Sequence, residues 1–162
     1  MIVVADTSVL INLCRVRQGS LLKILFQEVV IPPEVAAEFA GLVARVPRFA
    51  RLILPTEIRV QTPLAILLAV QAAEGLDPGE SAALSLAVEI HADAILLDER
   101  RGHEVAAALG LPTIGLLGIL LRAKAVGILP AVLPVIDALE RDAGFWISDS
   151  LRKRVSLLAG EA

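Results

Sequence analysis

Short apolar runs alternate along the chain with stretches of helical periodicity. Ile2–Ala5 is fully apolar and largely β-branched, the pattern of a strand buried in a parallel sheet. Val29–Ile31 and Ala94–Leu97 repeat it, and Pro112–Ile114 is a shorter version. Ile58–Val60 is a weaker strand candidate inside Pro47–Pro63, the segment with the least pattern. Helices are expected at Val9–Leu13, Ser20–Leu25 and from Pro32-Pro33 through about Val46, proline being tolerated in a first turn. Further helices are expected at Leu64–Ala73, Pro78–Ile90, about Glu104–Leu109, Leu116–Ala125 and Pro130–Asp142. This alternation predicts an α/β fold: a mainly parallel sheet with right-handed crossovers and helices on both faces. No repeat, low-complexity tract or linker interrupts it, so residues 1–162 read as a single domain with a C-terminal helical extension over about residues 128–162.

Composition narrows the class. Hydrophobic residues make up 56% of the chain, above the usual range of roughly 45–50%, and mean hydropathy is +0.75. Such a chain can bury enough apolar surface to offset its ordering entropy, which excludes disorder. The longest charge-free stretch, Val105–Leu121, contains Pro112 and glycines at positions 110, 115 and 118. It falls short of the about 20 apolar residues that a spanning helix needs. The start, MIVVADTS, has no basic region and an acid at position 6, unlike a signal peptide. A soluble, intracellular, cytoplasmic protein is therefore expected, with no membrane partner. One cysteine, Cys14, excludes an internal disulfide and is expected to be a small buried hydrophobe. Two histidines, His91 and His103, are too few for a histidine metal cluster, and the net charge of −3 does not advertise a nucleic-acid binder.

Four carboxylates stand out by position. Asp6 directly follows the first strand and Asp98 the strand Ala94–Leu97, so both belong at the carboxyl edge of the sheet, where open α/β folds bind ligands. A helix N-cap for Asp6 and a turn residue for Asp98 are the plainer alternatives. Glu80 falls on the inward side of its helix with Leu84 and Ala87, while Ser81, Ser85 and Glu89 form the outward face. A capping box, Asp77-Pro78-Gly79-Glu80, would also account for Glu80. Glu38 borders the core face Val35–Phe39–Leu42–Val46, with Glu34 further out; a solvated charge is the alternative there. Inward carboxylates repel one another and tend to protonate unless a cation joins them. Oxygen donors without histidine or cysteine select Mg²⁺ or Mn²⁺ over zinc.

The segments VVADTSVLINL, PPEVAAE, LDPGESAALSLAVE and ADAILLDERRG, in this order and spacing, resemble the PIN-domain ribonucleases. Within that family the chain is most similar to the VapC-like toxins of prokaryotic toxin–antitoxin pairs. The distal GLLGILLRAKAVGILP and GFWISDSLRKRV suggest a poorly characterised subgroup. The resemblance implies a PIN-like three-layer sandwich and an endoribonuclease, a hydrolase that leaves a 5′-phosphate and a 3′-hydroxyl. The family's four acids fall on Asp6, Glu38, Glu80 and Asp98. Asp6, Glu80 and Asp98 are expected to hold one or two Mg²⁺ or Mn²⁺ ions, and Glu38 to position metal or water. Ser8 matches a supporting hydroxyl, and Glu99 is a candidate extra ligand. Two positions depart from the family pattern: many relatives have aspartate where this chain has Glu80, and a hydroxyl residue where it has Leu96.

Cationic walls would be needed to hold a polyanion such as RNA. Arg100, Arg101 and His103 follow Asp98 and could meet flanking phosphates; Arg45, Arg48 and Arg51, and Arg152-Lys153-Arg154, are further candidates, with solvated surface charge the alternative. Aromatic residues are only 3%, too few for base-stacking platforms. Phe145 and Trp146 are expected to pack the C-terminal segment onto the core. The apolar surplus of Val105–Ile136 predicts a homodimer, and the toxin resemblance implies a small antitoxin protein. The rival from another class is a catalytically silent RNA-binding or scaffold domain. An aspartyl phosphatase would want a second aspartate where Ser8 stands. A nucleotide-binding loop fails at Gly115-Leu116-Leu117-Gly118, and a phosphoacceptor domain lacks a suitably placed lysine.

Overall fold

The computed structural model describes all residues, Met1–Ala162. Five strands form one sheet: β1 (Ile2–Ala5), β2 (Glu28–Ile31), β3 (Arg59–Val60), β4 (Ala94–Leu96) and β5 (Thr113–Ile114). Their order is β3-β2-β1-β4-β5 and every pairing is parallel. The β-branched run of β1 explains its central place, since Val3, Val4 and Ala5 are wholly buried between neighbours on both sides. Nine helices complete the α/β fold: α1 (Thr7–Arg15), α2 (Leu21–Leu25), α3 (Pro33–Arg45), α4 (Leu68–Gln71), α5 (Pro78–Glu89), α6 (Arg100–Ala108), α7 (Leu116–Ala125), α8 (Leu133–Ala143) and α9 (Asp149–Leu158). No helix is long and apolar enough to cross a membrane.

Strand order fixes where a site can form. From β1 the chain moves outward to β2 and β3, then returns to lay β4 on the other flank of β1. The crevice between the carboxyl ends of β1 and β4 is therefore the topological switch point of the sheet. Asp6 closes β1 there, its backbone N–H donating to the Leu96 carbonyl at 2.9 Å.

Several elements differ from the sequence pattern, each for a visible reason. Helix is confined to one turn, Leu68–Gln71, within the expected Leu64–Ala73. The rest of that segment lies extended across α5, its Leu67 N–H donating to Ser85 Oγ at 3.1 Å and its Leu64 N–H to Glu89 at 2.7 Å. Ser85, expected to face outward, is consequently buried. Helix α6 starts at Arg100, a turn before the expected Glu104, with Glu99 as its N-cap. Cys14 is only partly buried, its thiol 3.7 Å from the Ile53 carbonyl. Of the expected pair, Phe145 is half-buried against the core while Trp146 is 82% exposed; the buried Ile147 joins Phe145 in holding the C-terminal segment down. The Val105–Ile136 surplus is largely consumed inside the chain. Leu116, Ile119, Leu120, Ala123, Val132 and Ile136 are wholly buried, so this stretch supplies no argument for a second copy.

Candidate acidic centre

An open cavity of about 440 Å³ sits at the switch point, lined by Asp6, Thr7, Ser8, Asn12, Glu38, Asp77, Glu80, Glu99 and Arg101 among its twelve residues. Each acid reaches it by a local rule. Asp6 takes the extended backbone of an N-cap to α1, yet its side chain makes no capping bond. Glu38 is the sixth residue of α3, in its second turn, and is half-buried. Glu80 is third in α5 and completes a capping box: its N–H donates to Asp77 Oδ1 at 2.8 Å, and the Asp77 N–H donates to Glu80 Oε2 at 3.0 Å. The plain alternative for Glu80 is thus satisfied by one of its oxygens and leaves the other over.

That division recurs. Asp6 Oδ2 accepts from the Ser8 hydroxyl at 3.4 Å, while Asp6 Oδ1 is buried with no donor. Glu80 Oε1 is likewise buried and without a donor. Asp98 Oδ1 accepts from the Leu116 N–H at the start of α7, at 3.0 Å, and Asp98 Oδ2 has none. In each acid one oxygen is anchored and the other is orphaned, although buried polar atoms ordinarily find partners. Burial, foremost, pushes the Asp6 carboxyl from 3.8 to about 7; the nearby carboxylates of Glu80, Asp77 and Glu38 add to this and the Thr7 amide opposes it. Burial is also the main reason that Glu80 and Asp98 are raised, opposed by the Asp77 and Leu116 amides respectively.

The structure brings Asp6, Ser8, Glu38, Glu80, Glu99 and Arg101 to one cavity. Asp98 is not among the residues lining it; its carboxylate is turned to the N-terminus of α7, packed where Gly115 leaves room, since a Cβ there would lie 2.8 Å from Asp98 Oδ1. Arg100 points away, its side chain 94% exposed and paired with Glu104. Arg101 is tied by its Nε to the Glu74 carbonyl and by Nη1 to Glu104, and His103 Nδ1 lies 2.8 Å from Thr113 Oγ1. Three contributors escaped the sequence pattern. Thr7 donates to Glu38 Oε2 at 3.0 Å, Asp77 lines the cavity as well as capping α5, and Asn12 sits one helical turn beyond Ser8. The i, i+4 spacing of Ser8 and Asn12 was the available signal.

Two acids of the cavity, Asp6 and Glu80, each carry an orphaned carboxylate oxygen with no sulfur or imidazole beside them, a donor chemistry that fits a hard divalent cation; the third orphaned oxygen, on Asp98, belongs to a residue outside the lining. No group of three or more acidic, histidine or cysteine side chains already stands in an arrangement able to hold one. The fit is therefore in donor chemistry and burial; the cage is not closed.

Fold and cavity together define an α/β protein with an acidic centre at the switch point of its sheet. The family model DUF3368, a PIN domain, matches residues 2–161, and the chain belongs to this PIN-domain family. No curated protein matches the chain. PIN domains are typically nucleases that use divalent metal ions, which supports a hydrolase of nucleic acid at that level.

Proposed function

We propose that the chain is a Mg²⁺- or Mn²⁺-dependent endoribonuclease whose metal is held by Asp6, Glu80 and Asp98, with Glu38 positioning metal or water. The observation that carries this reading is the orphaned oxygen on each of the three acids, beside an anchored one. A divalent ion, when bound, supplies charge neutralisation at the scissile phosphate and an activated water. The chain's own work is preorganisation. The Ser8 hydroxyl and the Asp77 and Leu116 amides fix the carboxylates, and the Thr7 hydroxyl fixes Glu38. Arg101, on the cavity wall, offers a guanidinium to a phosphate next to the cleaved bond. Glu99 closes the wall as a further oxygen donor.

The finer reading, a toxin of a prokaryotic toxin–antitoxin pair held by a small antitoxin, rests on the VapC-like resemblance; one cytoplasmic domain over residues 1–162 rests on sequence pattern and composition, and the homodimer only on the apolar surplus of Val105–Ile136, most of which the fold buries. The silent RNA-binding alternative draws on one observation, the absence of a ready-made metal cage.

Cleavage separates them. Pure protein is incubated with an RNA pool and Mn²⁺ or Mg²⁺, beside EDTA and a Glu80→Gln variant. Glutamine still completes a capping box, so the fold is kept while the charge is lost. Cleavage to 5′-phosphate and 3′-hydroxyl ends is expected, falling by about 10²-fold or more in either control. RNA binding without cleavage under every metal condition would favour the silent domain. Growth arrest on expression, absent with Glu80→Gln, is the expected sign of a toxin.

A further inference from the structure

Five arginines gather at the far end of the two helices that wall the acidic cavity. Ser8 and Asn12 of α1, and Glu38 and Leu42 of α3, line the cavity. At helical spacing, Arg15 lies within about 20° of Ser8 and Arg45 within about 20° of Glu38, each two turns and about 10 Å further along. Both helices end at those arginines, and the short turn Pro47–Phe49 follows α3 directly. The Arg15 guanidinium stands 4.8 Å from the centre of the Phe49 ring and that of Arg48 5.3 Å. Arg17 and Arg51, two residues beyond Arg15 and Phe49, line a common shallow depression.

No acid pairs with these five, and Arg45 Nε donates only to the Gly41 carbonyl of its own helix, at 3.2 Å. None has a carboxylate within ion-pair distance, whereas Arg59, Arg100, Arg101, Arg141 and Arg152 each do; of the other cations Arg122, Lys153 and Arg154 also have none. Asp142 is the acid that bears on Arg15, and its carboxylate is already engaged by Arg141. Helix dipoles account for arginines at the ends of α1 and α3, but not for Arg17, Arg48 or Arg51. Arg17 is the telling one. Its φ of 59° is left-handed, and it closes α1 where glycine is the usual residue. An arginine there keeps a backbone strain that glycine would relieve.

Unpaired like charges held beside an acidic phosphate-handling centre are the footprint of a polyanion. Resting on the nuclease reading above, we propose that this cluster is the docking track for the RNA strand flanking the cleaved bond. The strand leaves the cavity along the shared face of α1 and α3 to Arg15, Arg45 and Arg48, and Arg17 and Arg51 extend the track. Phe49 is buried with guanidinium groups against its ring, so it offers no face to a base. The hold is on phosphates and is indifferent to base sequence.

The test is binding of a labelled single-stranded RNA of about a dozen nucleotides, read by fluorescence anisotropy in EDTA across a salt series. The variant combines Arg17→Gly, Arg45→Gln and Arg51→Gln. All three side chains are exposed, and glycine suits the left-handed backbone, so thermal stability is expected to hold. Its affinity should fall about tenfold or more at low salt, and its salt slope should become shallower by about 2, three contacts at about 0.7 each. A control pair, Lys153→Gln with Arg154→Gln, should leave the slope alone. An unchanged slope in the triple variant, or an equal loss in the control, overturns the track. The two readings fail separately. Protein that cuts no RNA but loses salt slope in the triple variant keeps the track and loses the nuclease; intact cleavage with an intact slope does the reverse.

Discussion

At the scale of single residues, Asp6 carries the largest tension in the molecule. It is 4% exposed, lies among three other carboxylates and is raised to about 7. A charge there is unfavourable unless something positive joins it. Asp6→Asn should therefore raise the stability of the metal-free protein at pH 8 by about 1–3 kcal/mol, several degrees in Tm, while abolishing RNA cleavage. Calorimetry in EDTA checks the first half and a cleavage assay the second; a variant less stable at pH 8 would mean that the aspartate serves packing. Asp6 was legible because a carboxylate directly after a buried apolar run must land at the sheet edge. Thr7 was not, because its hydroxyl reaches across to Glu38, thirty-one positions away, and no local pattern encodes that bond. The turned carboxylate of Asp98 was equally hidden, since it depends on the N-terminus of α7 and the room left at Gly115.

At the scale of elements, the close packing of α3 against α5 sets the cavity. Gly79, in the first turn of α5, is buried, and a Cβ there would stand 2.7 Å from Glu38 Oε2 and 3.3 Å from Asp77 Oδ1. The closer atom ends a movable side chain, and Asp77 Oδ1, held by the Glu80 N–H, needs to give only a few tenths of an ångström. Gly79→Ala should therefore cost stability little, within about 1 kcal/mol, helped by alanine's better helix propensity. It should nevertheless displace Glu38 from Thr7 and lower cleavage; unchanged activity would remove Glu38 from the mechanism. The order of the strands, and of the helices as far as α8, was readable from periodicity, and the all-parallel sheet agrees; α9 was covered only by the expected C-terminal helical extension and was not placed as a helix of its own. The stretch from Leu64 to Ala73 was not. Its apolar residues mimic a helix, but the extended chain gains more by giving backbone N–H groups to Ser85 and Glu89 of α5. The same contact turned a predicted polar face of α5 inward, because a period of 3.6 shows which residues share a face and not how many faces are covered.

At the scale of the whole molecule, two opposed carboxyl shifts shape stability against pH. Asp6 is raised from 3.8 to about 7, so the folded state holds a proton that the unfolded chain releases. Its contribution, on the order of 3–4 kcal/mol, is complete below about pH 4 and is lost as pH rises towards 7. Glu161 runs the other way. Its carboxylate accepts from the Val132 and Leu133 N–H groups and pairs with Lys124 at 2.8 Å, tying the chain's end to α7 and the start of α8. These donors outweigh its burial and lower it to about 2, so its contribution is present above its ordinary value and lost as pH falls through the folded one. Metal-free protein should thus be most stable near mildly acidic pH, and added Mn²⁺ should raise Tm more at pH 8 than at pH 5, because only deprotonated carboxylates bind it. Equal shifts at both pH values would dissociate the buried acids from metal. The whole-molecule fate of apolar residues was the least legible feature: most of the Val105–Ile136 surplus entered the core, with Val126 and Ile128 left exposed, and Trp146 stayed outside. The most direct test of the acidic centre is a crystal structure with Mn²⁺, read by anomalous scattering. The expected result is a peak within coordination distance of Asp6 Oδ1 and Glu80 Oε1, with the orphaned oxygen of Asp98 drawn towards it; a fully ordered cavity with no peak, at a Mn²⁺ concentration that supports cleavage, would contradict the assignment.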